Sequence, residues 1–263
     1  MPQVERLRVY PVKGLDGIDV DAAEILSGGT LARDREFALF DDNEKVLNGK
    51  RTDRVHDLQT DFDTATGELQ VETPAGETER FALDDAADRD RAEAWFGDFF
   101  NLDLTLERDD SLGYVDRREM GPSVLSTATV EELASWFDDL SVESARRRLR
   151  ANVEISGVET FWADRFVGED APAFEVGGVR FEGVTPCGRC VVPQRDPDTG
   201  EPIPKFQQQF VEQREATFPE FADEAAFDHF YTLMIITSVP EPDRGATLAV
   251  GDSVTGPTVT DEP

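Results

Sequence analysis

The only two cysteines of the chain stand three residues apart in Pro186-Cys187-Gly188-Arg189-Cys190, at the end of a strand-like stretch from Val179 to Val184. At that spacing both sulfurs can enter one site, and four chemistries compete for them. A zinc site needs four ligands, and beyond the cysteines the chain offers only His56 and His229, each far away in sequence. A redox dithiol has this spacing but normally opens a helix in a βαβ unit, whereas this pair follows an antiparallel-looking strand. An inert pair is the third reading. The fourth is a single metal-ligating thiolate, favoured by Arg189, whose cation stabilises the ionised sulfur of its neighbour.

A second cluster is cationic. Arg146-Arg147-Arg148-Leu149-Arg150 places four of the 26 basic residues in five positions. Read with period two, Leu149, Ala151, Val153 and Ile155 face a core, while Arg148, Arg150, Asn152 and Glu154 line the opposite face. Arginine forks presented together suit a small polyanion such as a phosphate; the plainer reading is that they answer surrounding acids in salt bridges. A third group joins Tyr10-Pro11-Val12-Lys13-Gly14 to Arg33-Asp34-Arg35, and Lys13 is one of only four lysines.

These cations stand against a strongly acidic background. The 263 residues carry 56 Asp+Glu against 26 Lys+Arg, a net charge of −30 with a pI near 4.2. Such a charge repels nucleic-acid backbones and anionic membranes, so neither is an expected partner. A carboxylate-rich, lysine-poor exterior resembles that of salt-loving organisms, where a Debye length of ~3 Å at molar salt removes most self-repulsion. Disorder is opposed by 39% hydrophobic residues and 18 phenylalanines. Met1 to Glu5 shows no signal-peptide pattern, and the apolar run Leu233 to Val239 is far short of the ~20 residues of a membrane span. A cytoplasmic location is expected, where two cysteines serve chemistry rather than a staple.

The elements that must position these residues are mostly strands. Leu7 and Val9, then Ile18 and Val20, keep period two; Phe37 to Phe40 and Lys45 to Leu47 flank a four-residue loop; Glu68 to Glu72 pairs with Glu77 to Leu83. This predicts a small antiparallel barrel or sandwich. Ala92, Trp95, Phe96 and Phe99 share a helix face. A polar, turn-rich stretch at 109–121 marks the domain boundary, giving units 1–112 and 113–263. Val124 to Thr129 leads into a helix with Val130, Leu133 and Phe137 on one face, and Thr129 with Glu132 fits a capping box. Strands are expected over Leu149 to Ser156, Ala173 to Val176, Val179 to Val184 and Thr247 to Val254, and Lys205 to Tyr231 reads as a helical or ordered insertion that shapes a substrate entrance.

In order and spacing, Tyr10-Pro11-Val12-Lys13, Arg33-Asp34-Arg35, Leu125-Ser126-Thr127-Ala128-Thr129, Arg150 to Gly157, the cysteine motif with Asp196-Pro197-Asp198-Thr199-Gly200 behind it, and Val250-Gly251-Asp252 resemble the MOSC proteins. The likeness is to the two-part kind, an N-terminal MOSC β-barrel domain before a MOSC domain, similar to the amidoxime reducing components and their bacterial relatives. It implies a mainly β, α+β fold with a MOSC-type barrel and flanking helices. It also implies a molybdenum-cofactor (Mo-molybdopterin) oxidoreductase that reduces small N-hydroxylated compounds with electrons from a separate donor protein. By the same resemblance Cys190 is the catalytic metal ligand; Lys13, Arg35, Arg150 and Arg189 fall at pterin and phosphate contacts; Ser126 and Thr127 fall in a loop near the cofactor. Gly14, where the family often has Ser, would offer backbone instead, and Arg148 and Asn152 complete the expected anion site. Ala151 replaces the usual Pro between Arg and Asn.

No Gly-rich nucleotide fingerprint or four-cysteine set appears, so flavin, haem and iron–sulfur groups are not expected, nor is pyridoxal phosphate. Two other functions stay open: a non-catalytic carrier of the cofactor or of sulfur on Cys190, and a thiol-disulfide protein using Cys187 with Cys190.

Overall fold

The computed structural model describes residues 1–116 and 120–257. The opening alternation becomes β1 (Gln3–Val9), which buries Val4, Leu7 and Val9 completely. It is followed by β2 (Val12–Lys13), β3 (Ile18–Val20), β4 (Ala22–Glu24), β5 (Phe37–Asp41), β6 (Gln59–Asp63), β7 (Glu68–Glu72) and β8 (Thr78–Ala82). Helix α1 (Ala86–Phe100) and strand β9 (Leu104–Arg108) close the first part. The second part runs β10 (Ser123–Ser126), α2 (Thr127–Ser135), α3 (Val142–Leu149), β11 (Val153–Ser156), β12 (Phe174–Val176), β13 (Val179–Gly188), α4 (Phe206–Ala216), β14 (Thr232–Ser238), β15 (Thr247–Ala249) and β16 (Val254–Thr255). The fold is α+β, as the sequence indicates.

Eight strands form the main sheet in the order β16-β12-β13-β14-β10-β11-β1-β3, so strands from both sides of residue 112 share it. Only β10 and β11 run parallel there, and a parallel pair needs a long crossover; α2 and α3 supply it. Two three-stranded sheets, β2-β5-β9 and β6-β7-β8, lie in the first part with α1 packed on them through Ala92, Phe96 and Phe100, and β4 pairs with β15 of the second part. Neither closes on itself among the described residues, and β2 pairs with β5 in parallel rather than antiparallel. Trp162, Phe166, Phe174 and Phe181 fill the core of the main sheet, and α2, α3 and α4 enclose another core around Phe206 and Phe210.

Three local expectations are corrected. The strand expected from Leu149 begins only at Val153, because the arginine run is the last turn of α3. Ser141 caps that helix by accepting from the Ser144 amide at 3.1 Å, and three arginines in the final turn face the negative end of the helix dipole. Arg150 then ends it in a left-handed conformation, φ 57°. Helix α2 starts one turn earlier than a Thr129 cap would allow: its cap is Ser126, whose Oγ accepts from the Thr129 amide at 3.1 Å. The Thr247 to Val254 strand is split into β15 and β16 by a turn through Gly251, φ 89°.

Candidate functional site

A cavity of about 340 Å³ opens where the ends of β2, α3 and β13 meet. Its lining is the inverse of the whole chain: Lys13, Arg35, Lys50, Arg147, Arg148, Arg150, Arg189 and Arg195 against Asp16, Asp34 and Asp116. The residues expected from the sequence, Lys13, Gly14, Arg35, Arg148, Arg150, Asn152, Arg189 and Cys190, all lie on this wall, together with Cys187. Ser126 and Thr127 do not. Ser126 is fully buried as the α2 cap, its Oγ bonded to Thr129 and to the Glu159 carbonyl, and the nearby serine that reaches the cavity is Ser123.

The thiols arrive through irregular pairing of β13 with β14. The register slips between Pro186 and Gly188, and opposite the slip Met234 takes φ 63° inside a strand. Such a bulge bends the strand and re-aims the residues on its far side. There the Arg189 amide donates to the Tyr231 carbonyl at 2.8 Å and the Tyr231 hydroxyl donates to the Cys190 carbonyl at 3.0 Å, fixing the turn that carries the second cysteine. Burial pushes the Tyr231 phenol up to about 12, which keeps that donor protonated. Both cysteines are free and half-buried. Cys187 Sγ accepts from Arg189 Nη1 at 3.1 Å, while Cys190 Sγ has only a long contact from the Val192 amide, 3.5 Å.

The arginines divide by partner. Arg146 bonds Glu154 and Glu143, and Arg147 bridges Asp16 and Asp198. Arg148, 4% exposed, spends every guanidinium nitrogen on protein: Nε to Ser144 Oγ at 3.0 Å, Nη1 to the Pro193 carbonyl at 3.2 Å, Nη2 to Asp196 at 3.0 Å. Arg33, part of the same motif as Arg35, is also tied up, with Glu36 and Asp84. Arg35 pairs with Asp34. Among the described residues no carboxylate forms an ion pair with Arg150 or Arg189, although Asp16 and Asp34 act on Arg150 from farther off; Arg189 donates to Cys187 and to the Leu149 carbonyl at 2.8 Å, and Arg150 lies over the Tyr10 ring at 4.1 Å. Burial first, and then the neighbouring Arg35, push the Arg150 guanidinium down from its ordinary range against the pull of Asp16 and Asp34.

The remaining wall is set by packing. Asn152 is a brace: Oδ1 accepts from the Ser123 amide at 3.1 Å and hydroxyl at 3.0 Å, and Nδ2 donates to the Arg8 carbonyl at 3.1 Å. Gly14 takes φ 98°, and a Cβ there would come within 2.7 Å of the Leu47 carbonyl oxygen, so only backbone can face the cavity. Burial opposes ionisation of Asp16 and of Asp116, but Arg147 in the first case and Lys13 in the second outweigh it and hold both carboxyls below the ordinary range. No described residue from Lys205 to Tyr231 lines the cavity; the insertion reaches the cysteine turn through Tyr231.

Sequence reasoning missed His56, Lys50, Arg147 and Arg195. Lys50 carried a usable signal, since two of the four lysines face this one cavity. His56 carried none. Burial first, then Arg195 and Arg150, push its imidazole below its ordinary value, and its Nε2 is buried without a hydrogen-bond partner. Arg189 Nε and Arg195 Nε are orphaned in the same way.

Chemically the arrangement offers one soft donor beside unpaired cations. Among the described residues no three His, Cys, Asp or Glu side chains gather to hold an ion. The family resemblance expects a metal here to take Cys190 as its one protein ligand and the rest of its donors from the cofactor. The orphaned guanidinium nitrogens and the carboxylate-free Arg150 ask for an anionic group with acceptors. A dithiolene-bearing, phosphorylated pterin fits both requirements.

The chain matches the model of the MOSC N-terminal beta barrel domain over residues 1–142 and that of the MOSC domain over residues 121–255. It is similar to mitochondrial amidoxime-reducing component 1 of Danio rerio, 24% identical over 240 aligned residues covering 75% of this chain and 70% of that protein. It is also similar to mitochondrial amidoxime reducing component 2 of Bos taurus, 22% identical over 238 residues covering 75% and 67%. Among solved structures, the YUAD protein from Bacillus subtilis aligns over 97% of this chain and 94% of its own at a TM-score of 0.44 and 13% identity. With both family domains matched across the residues that build the cavity, the chain belongs to the MOSC family.

Proposed function

We propose that the protein binds the molybdenum cofactor in this cavity and reduces small N-hydroxylated compounds, taking electrons from a separate donor protein. The observation that carries the proposal is the meeting, in a chain of net charge −30, of the sparsely bonded thiol of Cys190 with two guanidinium groups, Arg150 and Arg189, that have no carboxylate partner among the described residues. The names of the relatives support the reaction class.

When bound, the cofactor supplies two-electron redox chemistry at a metal, which no side chain of this chain can supply alone. The residues present have definite tasks toward it. Cys190 is the metal ligand, a thiolate matched to a soft centre. Arg150, Arg189 and Lys13 bind the phosphorylated pterin and compensate its charge. Arg35, also over the Tyr10 ring, joins them. Asp34 holds Arg35 and Asp116 holds Lys13, while Asn152 and Arg148 brace the wall behind them through Ser123, the Arg8 carbonyl and Asp196. The acidic exterior suits a salt-rich cytoplasm, where the −30 charge is screened.

Metal and pterin analysis tests the reading. Protein from a host that makes the cofactor should carry molybdenum and pterin near one per chain. Cys190→Ser should lose the metal, and Cys187→Ser should keep it. Molybdenum absent from the wild type, or fully retained in Cys190→Ser, overturns the assignment. With a chemical reductant the loaded protein should convert a hydroxylamine or an N-hydroxylated base, and no turnover across a broad panel would leave a cofactor carrier in its place.

A further inference from the structure

The fully buried ring of Tyr10 lies beneath two cations at once. The guanidinium carbon of Arg150 sits 4.1 Å from the ring centroid and that of Arg35 sits 5.1 Å from it. The same residue is tied to the backbone on either side. Its amide donates to Asp34 Oδ1 at 3.0 Å, its carbonyl accepts from the Arg35 amide at 2.8 Å, and its hydroxyl donates to the carbonyl of Ala151 at 3.3 Å. Arg35 and Arg150 both occupy left-handed backbone, φ 54° and 57°, a conformation that persists only when neighbours enforce it. Arg35 has a second anchor in the Asp34 carboxylate. Arg150 has none of that kind among the described residues.

Two like charges beside one another drift apart unless something attracts both. The negative face of an aromatic ring does so without neutralising them; at Arg150 it is the attraction that leaves the cation unpaired for an incoming anion, while Arg35 keeps Asp34 as well. We infer that Tyr10 is a positioning residue: its ring holds Arg150 and Arg35 together at the cavity wall so that both meet one phosphate group. The inference rests on the proposed function only in that it takes the cavity to be an anion site.

The test uses the full chain and inorganic phosphate followed by titration calorimetry, beside the molybdenum and pterin content of protein from a cofactor-competent host. Tyr10→Phe keeps the ring and should bind phosphate within about twofold of wild type. Tyr10→Leu removes the quadrupole and should bind about tenfold more weakly, the scale of one desolvated cation–π contact. Introduced into the Arg35→Gln/Arg150→Gln background, Tyr10→Leu should change nothing further, because a residue that acts through the arginines has no effect without them. Equal binding by Tyr10→Leu and wild type overturns the inference, as does an undiminished loss in the arginine-free background, or a wild type that does not bind phosphate.

A second readout avoids any destabilised variant. Phosphate added to wild type should shift a tyrosine band in the near-ultraviolet difference spectrum, and Tyr10→Phe should lack that shift; a band common to both overturns the inference. Phosphate binding with this pattern but no molybdenum or pterin would sink the cofactor proposal and leave Tyr10 in place. Full cofactor content with phosphate binding indifferent to Tyr10 would do the reverse.

Discussion

Arg148 and Arg150 stand two residues apart in one run, and they should fail in different ways when their charge is removed. Arg148→Gln deletes a guanidinium that is 4% exposed and bonded to Ser144, the Pro193 carbonyl and Asp196. Hydrogen bonds to a charged group contribute about 1.5–3 kcal/mol, and a broken, fully buried pair costs about 3–5 kcal/mol. Asp196 retains 34% of its side-chain exposure and can be re-solvated, so the lower half applies, about 2–3 kcal/mol. For a chain of 263 residues that lowers Tm by roughly 4–10 °C. Arg150→Gln breaks no ion pair among the described residues and relieves a desolvated cation, so its stability should change by less than about 1 kcal/mol.

Binding should divide the other way. A charge-assisted contact to phosphate is worth about 2–3 kcal/mol, so Arg150→Gln should weaken phosphate by about 30- to 150-fold and reduce pterin content. Arg148→Gln should weaken it only a few-fold. Thermal denaturation and phosphate titration of the two variants side by side decide the matter. If Arg150→Gln melts as early as Arg148→Gln, or if Arg148→Gln loses phosphate at an unchanged Tm, the division of the run into brace and ligand is wrong.

Gly14→Ser, which would restore a residue common in the family, should destabilise this chain by about 1–3 kcal/mol, because φ is 98° and the new Cβ meets the Leu47 carbonyl; an unchanged melting curve would refute the clash. His56 supplies a pH test. Its folded pKa lies below the unfolded value of about 6.5, so its contribution to stability is present above that pH and is lost as pH falls through it, while the unfolded chain takes up a proton the folded one refuses. His56→Gln should therefore show a shallower fall in Tm between pH 7 and pH 5 than wild type, and an unaltered slope would remove His56 from the account.

Much of the fold was legible because its signals are local. Period two in Leu7 and Val9, the i, i+3, i+4, i+7 spacing of Ala92 to Phe99, and the turns around Pro74-Ala75-Gly76 each sit within one element and match β1, α1 and the β7–β8 hairpin. The arginine run misled because Leu149, Ala151, Val153 and Ile155 alternate by coincidence across a helix end. Ala145 and Leu149, both buried and four apart, satisfy a helix equally well. The parallel pairing of β10 with β11, the bulge at Met234 and the approach of His56 and Lys50 have no local signature, since each is decided by residues far away in the chain.

The candidate site shows the same limit in a sharper form. Several cations at the cavity can be picked out of an acidic sequence by motif or scarcity, but whether each is spoken for depends on partners at long range: Arg147 on Asp16, 131 residues away, and Arg148 on Asp196, 48 residues away. In a chain with 56 acidic residues a carboxylate is available to almost any arginine. An arginine left without one therefore carries more information than one that is merely present. Arg150 keeps its charge against burial, in a left-handed backbone, over a ring that cannot neutralise it. Burial and the left-handed backbone cost stability in the free protein; the Tyr10 ring and the more distant Asp16 and Asp34 offset part of that cost, and under the proposed function an anion entering the cavity offsets the rest.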